Sequence, residues 1–343
     1  MRGLRSFAFW TSLIFMLAGP LFAQGVNARN LLKMARSSAE AKDWAKARDY
    51  ANQALQEEGG YLDAYYMRAF AYRELGEKKK SEEDFREVIR RDPQFLPTYG
   101  ALADMYMSDK EWAKAEKVFT DLGQQNDGAK WASYYRGVMA YMRGDLKKAE
   151  SQWKDTLAKD VNFAQASHNL GALAMARGEN PRALSLFLEA LEKKPQNAMY
   201  RFHVAWAQEK VGQGAKAQEG LKAIMNENSD NQQFWLLARA LDQILRGQSE
   251  TALKVLDTVT KDYPSSLDGW VLKGRAAIAV GKLDLAREAL TKAKELDPHF
   301  GEIDTLMAKL PAQSQSPAPA PSPTSPPPSA PDSAPVREKQ PTP

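Results

Sequence analysis

Cysteine is absent from this 343-residue chain, which excludes disulfides, thiolate metal sites and cysteine nucleophiles together. Histidine is scarce: His168, His203 and His299 are the whole set, and no two of them stand four residues apart as a helical metal pair would. No HExxH, GxSxG or phosphate-loop pattern occurs. Catalysis therefore has no recognisable constellation, and the expectation is a non-enzyme with no metal and no cofactor. An excess of one charge is also missing. Against 47 Lys and Arg stand 43 Asp and Glu, and Arg2 and Arg5 supply two of the net +4, so nothing argues for a nucleic-acid partner. Adjacent carboxylates such as Glu82 and Glu83 fall on an outer helix face, where solvation explains them. Strand-like alternation of any length is lacking as well, and the body of the chain is rich in helix formers. Its six prolines, Pro93, Pro97, Pro181, Pro195, Pro264 and Pro298, all sit at turns or in a first helical turn. The fold class expected is all-α.

What is present is a repeat. The stretch from Phe163 to Asn197 reads as two short helices joined by a turn. Leu170, Gly171 and Ala174 share one face of the first helix, and Gly178 ends it. The second starts at Pro181, carries Ala183, Phe187 and Ala190 on its apolar face, and stops at Pro195. Two helices of this length keep a further apolar face that only a neighbouring unit can cover. With Ala164 as position 1, the frame recurs every 34 residues at Ala28, Leu62, Leu96, Lys130, Ala164 and Ala198, then after one inserted residue at Gln233 and Leu267.

Position 8 is small in all eight units (Ala35, Ala69, Ala103, Gly137, Gly171, Ala205, Ala240, Gly274), and so is position 20 (Ala47, Ser81, Ala115, Ala149, Ala183, Ala217, Ala252, Ala286). Small residues at both places let the paired helices approach closely. Gly76, Gly144, Gly178, Gly212, Gly247 and Gly281 hold position 15, where the chain turns between helices. Pro93, Pro195, Pro264 and Pro298 hold position 32, where the second helix stops; the units at 28, 130 and 198 have Gly59, Val161 and Ser229 there instead.

The period, together with Tyr65, Tyr72, Phe85 and Pro93 in one unit, Tyr99, Leu102, Tyr106 and Phe119 in the next, and Trp270, Ala293 and Pro298 in the last, resembles the tetratricopeptide repeat family over residues 28–300. The resemblance implies a right-handed α-solenoid superhelix of about eight helical hairpins, whose first helices line a concave inner face through positions 2, 5, 9 and 12. Positions 4, 7, 8 and 11 already face the second helix, so these four form a separate row at helical spacing. That row carries Tyr66 and Phe70 in the unit at 62, Trp131, Tyr134, Val138 and Tyr141 in the unit at 130, and Met199, Phe202 and Trp206 in the unit at 198. Exposed aromatic surface of this kind marks a binding site. The alternative is that neighbouring inner helices bury the row against one another. For Phe234, Leu237, Leu241 and Ile244, which have no polar tip, the two are equally open; for Tyr134, Tyr141, Phe202 and Trp206 the groove is preferred, since Tyr and Trp can keep one end wet. His168 and His203, at positions 5 and 6 of successive units, are expected to approach each other as hydrogen-bonding groups of the groove. A carboxylate clamp of the kind known in the family is not expected, because position 5 holds no Lys and position 9 no Asn.

The two ends differ from the array. Arg2 and Arg5 precede an uncharged run from Phe7 to Ala23, a secretory signal pattern with cleavage expected after Ala23; an uncleaved anchor is the alternative. Residues 301–310 read as a short helix capping the last repeat. From Pro311 onward 12 of the chain's 19 prolines crowd among Ala, Ser, Thr and Gln, a composition expected to stay disordered. The functional expectation is an exported, periplasmic scaffold or assembly adaptor that binds a protein or peptide in its groove. The alternative is a repeat protein that binds cell-wall glycan or polysaccharide, since aromatic faces also stack on sugar rings.

Overall fold

The computed structural model describes residues 26–226 and 232–311, so the signal pattern and nearly all of the proline-rich tail lie outside the described residues. Among these residues every regular element is a helix, and the seventeen helices come as hairpins in series. They are α1 (Val26–Glu40) with α2 (Trp44–Glu57), α3 (Leu62–Glu74) with α4 (Lys78–Arg91), α5 (Pro97–Ser108) with α6 (Trp112–Gly123), and α7 (Gly128–Met142) with α8 (Leu146–Lys159). There follow α9 (Ala164–Ala176) with α10 (Asn180–Lys193), α11 (Ala198–Lys210) with α12 (Gly214–Asn226), α13 (Gln232–Leu245) with α14 (Ser249–Asp262), and α15 (Leu267–Ala279) with α16 (Leu283–Leu296). A single-element end, α17 (Gly301–Met307), completes the series. Each helix packs on the next in the chain, so the architecture is an α-solenoid. The loop between α12 and α13, where the 34-residue spacing slips by one, contains residues 227–231, which are outside the described residues.

The small residues of position 8 are what allow each hairpin to close. A Cβ on Gly137 would stand 2.4 Å from the Trp153 indole nitrogen, one on Gly171 2.8 Å from the Phe187 ring, and one on Gly274 2.6 Å from Leu290. In each case the large side chain of the second helix lies directly on the glycine backbone of the first. Trp153, Phe187 and Leu290 are thereby buried almost completely. Helix starts are fixed locally: the carboxylates of Asp43 and Asp145 accept from the backbone N–H of Lys46 and Lys148, and the Asn197 and Ser266 side chains do the same for Tyr200 and Gly269.

Ion pairs tie one hairpin to the next. Arg68 on α3 donates two bonds of 2.7 Å to Asp84 on α4 and one of 2.9 Å to Asn52 on α2. Glu150 on α8 accepts from Arg182, Lys154 and Arg177, which hold its carboxyl down at about 2. Two of those cations come from the following hairpin, so one carboxylate clasps the two units.

Six of the eight turns at position 15 use glycine with positive φ, from Gly247 at 73° to Gly76 at 81°. The other two place Lys42 and Lys110 at φ 60°, a left-handed conformation that costs a side-chain-bearing residue about 1–2 kcal/mol. Both lysines are exposed. Replacing either by glycine removes that cost, less the extra entropy of a glycine in the unfolded chain, so Lys42→Gly and Lys110→Gly should each stabilise their hairpin by about 0.5–1 kcal/mol. Chemical denaturation of the two variants checks this; lower midpoints would contradict the strain argument.

Candidate functional site

The inner row of positions 2, 5, 9 and 12 runs along α1, α3, α5, α7, α9, α11, α13 and α15, and it divides into two stretches of different character. Over α1 to α7 it is partly open. Arg29 is exposed, while Arg36, Asp63, Tyr66, Arg73, Asp104, Trp131 and Val138 are partly exposed. Charges alternate across this stretch, with Arg36 3.8 Å from Asp63 and Arg73 3.4 Å from Asp104. Burial raises the carboxyls of Asp63 and Asp104, and the facing arginines oppose that rise. The Arg73 guanidinium also lies 4.6 Å from the centre of the Phe70 ring.

Over α7 to α11 the chain covers its own inner wall. The turn after α16 and the start of α17 reach across the solenoid: the Tyr141 hydroxyl on α7 donates to Asp297 at 2.6 Å. The Lys210 ammonium on α11 meets Glu302 at 2.5 Å, and the Phe300 ring stands 6.2 Å from that of Trp206. The contact is close enough that a Cβ on Gly301 would fall 2.4 Å from the Ala176 carbonyl oxygen, and one on Gly144 3.3 Å from the His299 ring. Partners 156 residues apart thus close the second half of the array on itself.

This geometry corrects the expectation that Tyr134, Tyr141, Phe202 and Trp206 line an open groove. Their exposures are 5%, 8%, 0% and 1%, and Phe70 and His168 are buried too. Tyr134 is walled in by Trp131, Tyr135 and Phe163, and burial keeps its phenol protonated. Phe202 packs against Trp206 one turn along α11 and against Phe234 on the adjoining inner helix α13, and Trp206 additionally beneath Phe300. Side-by-side inner helices account for most of this burial; the returning C-terminal turn accounts for the rest. Of the eight residues singled out, Tyr66 and Trp131 retain partial exposure. Phe234, Leu237 and Leu241 are core.

Beneath the closure is a chamber of about 150 Å³ that reaches solvent past the partly exposed Met199, Gln233 and Asp268. The two inner histidines meet in its wall, as their positions suggested: His168 Nε2 and His203 Nδ1 are 2.9 Å apart, and His203 Nε2 is 3.2 Å from Asp268 Oδ2. A carboxylate only accepts, so His203 donates through Nε2 to Asp268, and its Nδ1 shares the remaining hydrogen bond with His168 Nε2. Asp268, on α15, is the member of this chain that sequence reasoning missed. Position 2 of a unit 65 residues downstream of His203 gives no local sign of the meeting.

Burial and the neighbouring His203 push the His168 imidazole well below its ordinary 6.5. A histidine held neutral in the native state leaves the unfolded chain binding more protons, so stability falls as pH drops below about 6.5 and is unaffected by this group above it. Denaturation midpoints measured from neutral to acidic pH should therefore decline less steeply in His168→Gln than in the parent chain. Identical slopes would remove His168 from the account.

Among the described residues no three His, Asp or Glu side chains are grouped to hold a metal ion, and no helix is long and apolar enough to cross a membrane. Tetratricopeptide repeat models match residues 29–58, 62–95, 168–224 and 237–299, more than half of the chain. This chain belongs to the tetratricopeptide repeat family. The hairpins α5 to α8, between those matches, repeat the same geometry. The chain is similar to human superkiller complex protein 3 (24% identical over 177 residues, 49% of this chain and 11% of the relative). It is also similar to the human protein O-mannosyl-transferase TMTC3 (21% over 342 residues, 84% and 37%). It therefore spans well under half the length of either relative. A tetratricopeptide repeat protein from Parabacteroides merdae superposes with a TM-score of 0.38 at 14% identity, over 83% of this chain and 99% of its own. Tetratricopeptide repeats generally mediate protein–protein interactions, and the fold is typically a binding scaffold rather than an enzyme.

Proposed function

We propose that this tetratricopeptide repeat protein is a non-enzymatic adaptor of the cell envelope that holds a protein or peptide along the inner face of its first four hairpins. The observation that carries the reading is the contrast between the two stretches of the inner row. Over α7 to α11 the wall is closed by the chain's own C-terminal turn, whereas over α1 to α7 the aromatic faces of Tyr66 and Trp131 stay partly exposed on the same row as Arg29, Arg36 and Arg73. Aromatic anchors framed by arginines are the composition that concentrates binding energy at protein interfaces. The alternating charges supply register and favour a partner with its own mixed charges. Export to the periplasm is the part of the reading supported by Arg2, Arg5 and the apolar run from Phe7 to Ala23.

A photo-crosslinking residue placed at Tyr66 or at Trp131 tests the face in cells. A defined adduct at either position, lost when Arg36 and Arg73 are both changed to Ala and absent from a control at the exposed Leu188 of α10, is the expected result. Adducts no different from the Leu188 control would end the proposal. Retention on insoluble cell wall without any protein adduct would transfer the face to a glycan ligand. A mature mass beginning at Gln24 checks export.

A further inference from the structure

The chamber beneath the closure has a charge pattern that the adaptor role does not use. Asp268 and Asp297 both line it, and no Lys or Arg does. Asp297 accepts from the Tyr141 hydroxyl and from the His299 backbone N–H, and Asp268 from the His203 imidazole, so hydrogen-bond donors fix the orientation of both carboxylates. The two cations at the closure are engaged elsewhere: Lys210 with Glu302, and Arg275 with Glu209 at 3.0 Å. Phe234 and Phe300 close the remaining sides with aromatic surface. Two partly exposed carboxylates with no Lys or Arg beside them in the lining, set in an aromatic wall, attract a cation. The volume accommodates a group of a few heavy atoms and excludes a folded chain.

We propose that this chamber is a binding site for an organic ammonium group, which pairs with Asp268 and Asp297 and rests its alkyl stem on Phe234 and Phe300. His203 completes the site as the positioning residue for Asp268, and is itself held by His168 at 2.9 Å. The same head group is carried by a free alkylamine and by a lysine side chain. The site is separate from the docking face on α1 to α7, so either can fail while the other stands.

Calorimetric titration of the full chain with n-butylammonium, with n-butanol as the uncharged control, tests the assignment. Saturable one-to-one binding of butylammonium without binding of butanol is expected, weakened about tenfold or more in Asp268→Asn, since loss of one ionic contact is of that order. Gln233→Lys, at the partly exposed mouth, puts a competing cation at the entrance without touching either carboxylate and should weaken binding similarly while preserving the fold. Tighter binding of a capped Gly-Lys-Gly peptide than of butylammonium assigns the site to a lysine side chain; binding of butylammonium alone assigns it to a free amine. Absence of saturable binding by both cations, or an affinity unchanged in both variants, overturns the proposal.

Discussion

Trp206→Ala is expected to be the most damaging single change in the closed half of the array, at about 3–5 kcal/mol. The indole is 1% exposed and stands within 6.5 Å, ring centre to ring centre, of Phe202, His203 and Phe300. Truncating it removes the floor on which Phe300 sits, and with it the apolar part of the contact that holds the C-terminal turn across α7 to α11. The polar contacts that remain, Tyr141 to Asp297 and Lys210 to Glu302, become solvated and lose most of their worth. Hydrogen exchange should therefore rise over residues 297–307 well beyond α11 itself, alongside the fall in thermal stability. Protection unchanged in that segment would mean that the closure does not depend on the indole. Trp206→Phe makes a sharp companion, because the buried indole N–H has no hydrogen-bond partner among the described residues. Its removal relieves an unsatisfied donor and offsets part of the lost volume, so the phenylalanine variant should stay within about 1 kcal/mol of the parent.

Phe187→Ala is expected to cost a similar 3–5 kcal/mol, through a different route. The ring is 1% exposed and lies on the Gly171 backbone, 5.3 Å from the His168 ring and 5.4 Å from that of His203. The cavity left by truncation opens at the glycine, where nothing but backbone can relax into it, and it borders the histidine pair. Water entering there lowers the penalty for charging His168, so the imidazole should move back up toward its ordinary 6.5. The variant is thus expected to combine a large loss of stability at neutral pH with a shallower decline on acidification. A parallel downward shift at every pH would separate the two histidines from Phe187.

How these losses appear depends on the closure. In an open solenoid each hairpin touches only its neighbours, and local damage stays local. Here contacts between α7 and the turn after α16 join the fourth and eighth hairpins directly. The second half should accordingly unfold as one unit, while α1 to α6 respond to their own substitutions alone.

The hairpins, their order and the turns between them are dictated locally and were legible in the residues. Position 8 must be small because Trp153, Phe187 and Leu290 lie on Gly137, Gly171 and Gly274, and the 34-residue frame shows that requirement in every unit. The approach of His168 to His203 follows from the same frame, since positions 5 and 6 of successive units lie on adjoining inner helices. Lys42 and Lys110 show where the frame under-determines the chain: the turn demands a left-handed residue, and a lysine adopts the conformation at a cost that packing elsewhere offsets.

What the sequence by itself determined is therefore the unit and its repetition, because both rest on spacing within about 34 residues. Only the tertiary structure decided which part of the inner row stays open. Small rotations between successive hairpins add up along the array until Asp297 and Phe300 arrive over Tyr141 and Trp206, and no local pattern records that sum. The same accumulated curvature brings Asp268 to His203 and encloses the chamber, so the face available to a partner and the pocket available to a small cation are both products of the superhelix rather than of any one repeat.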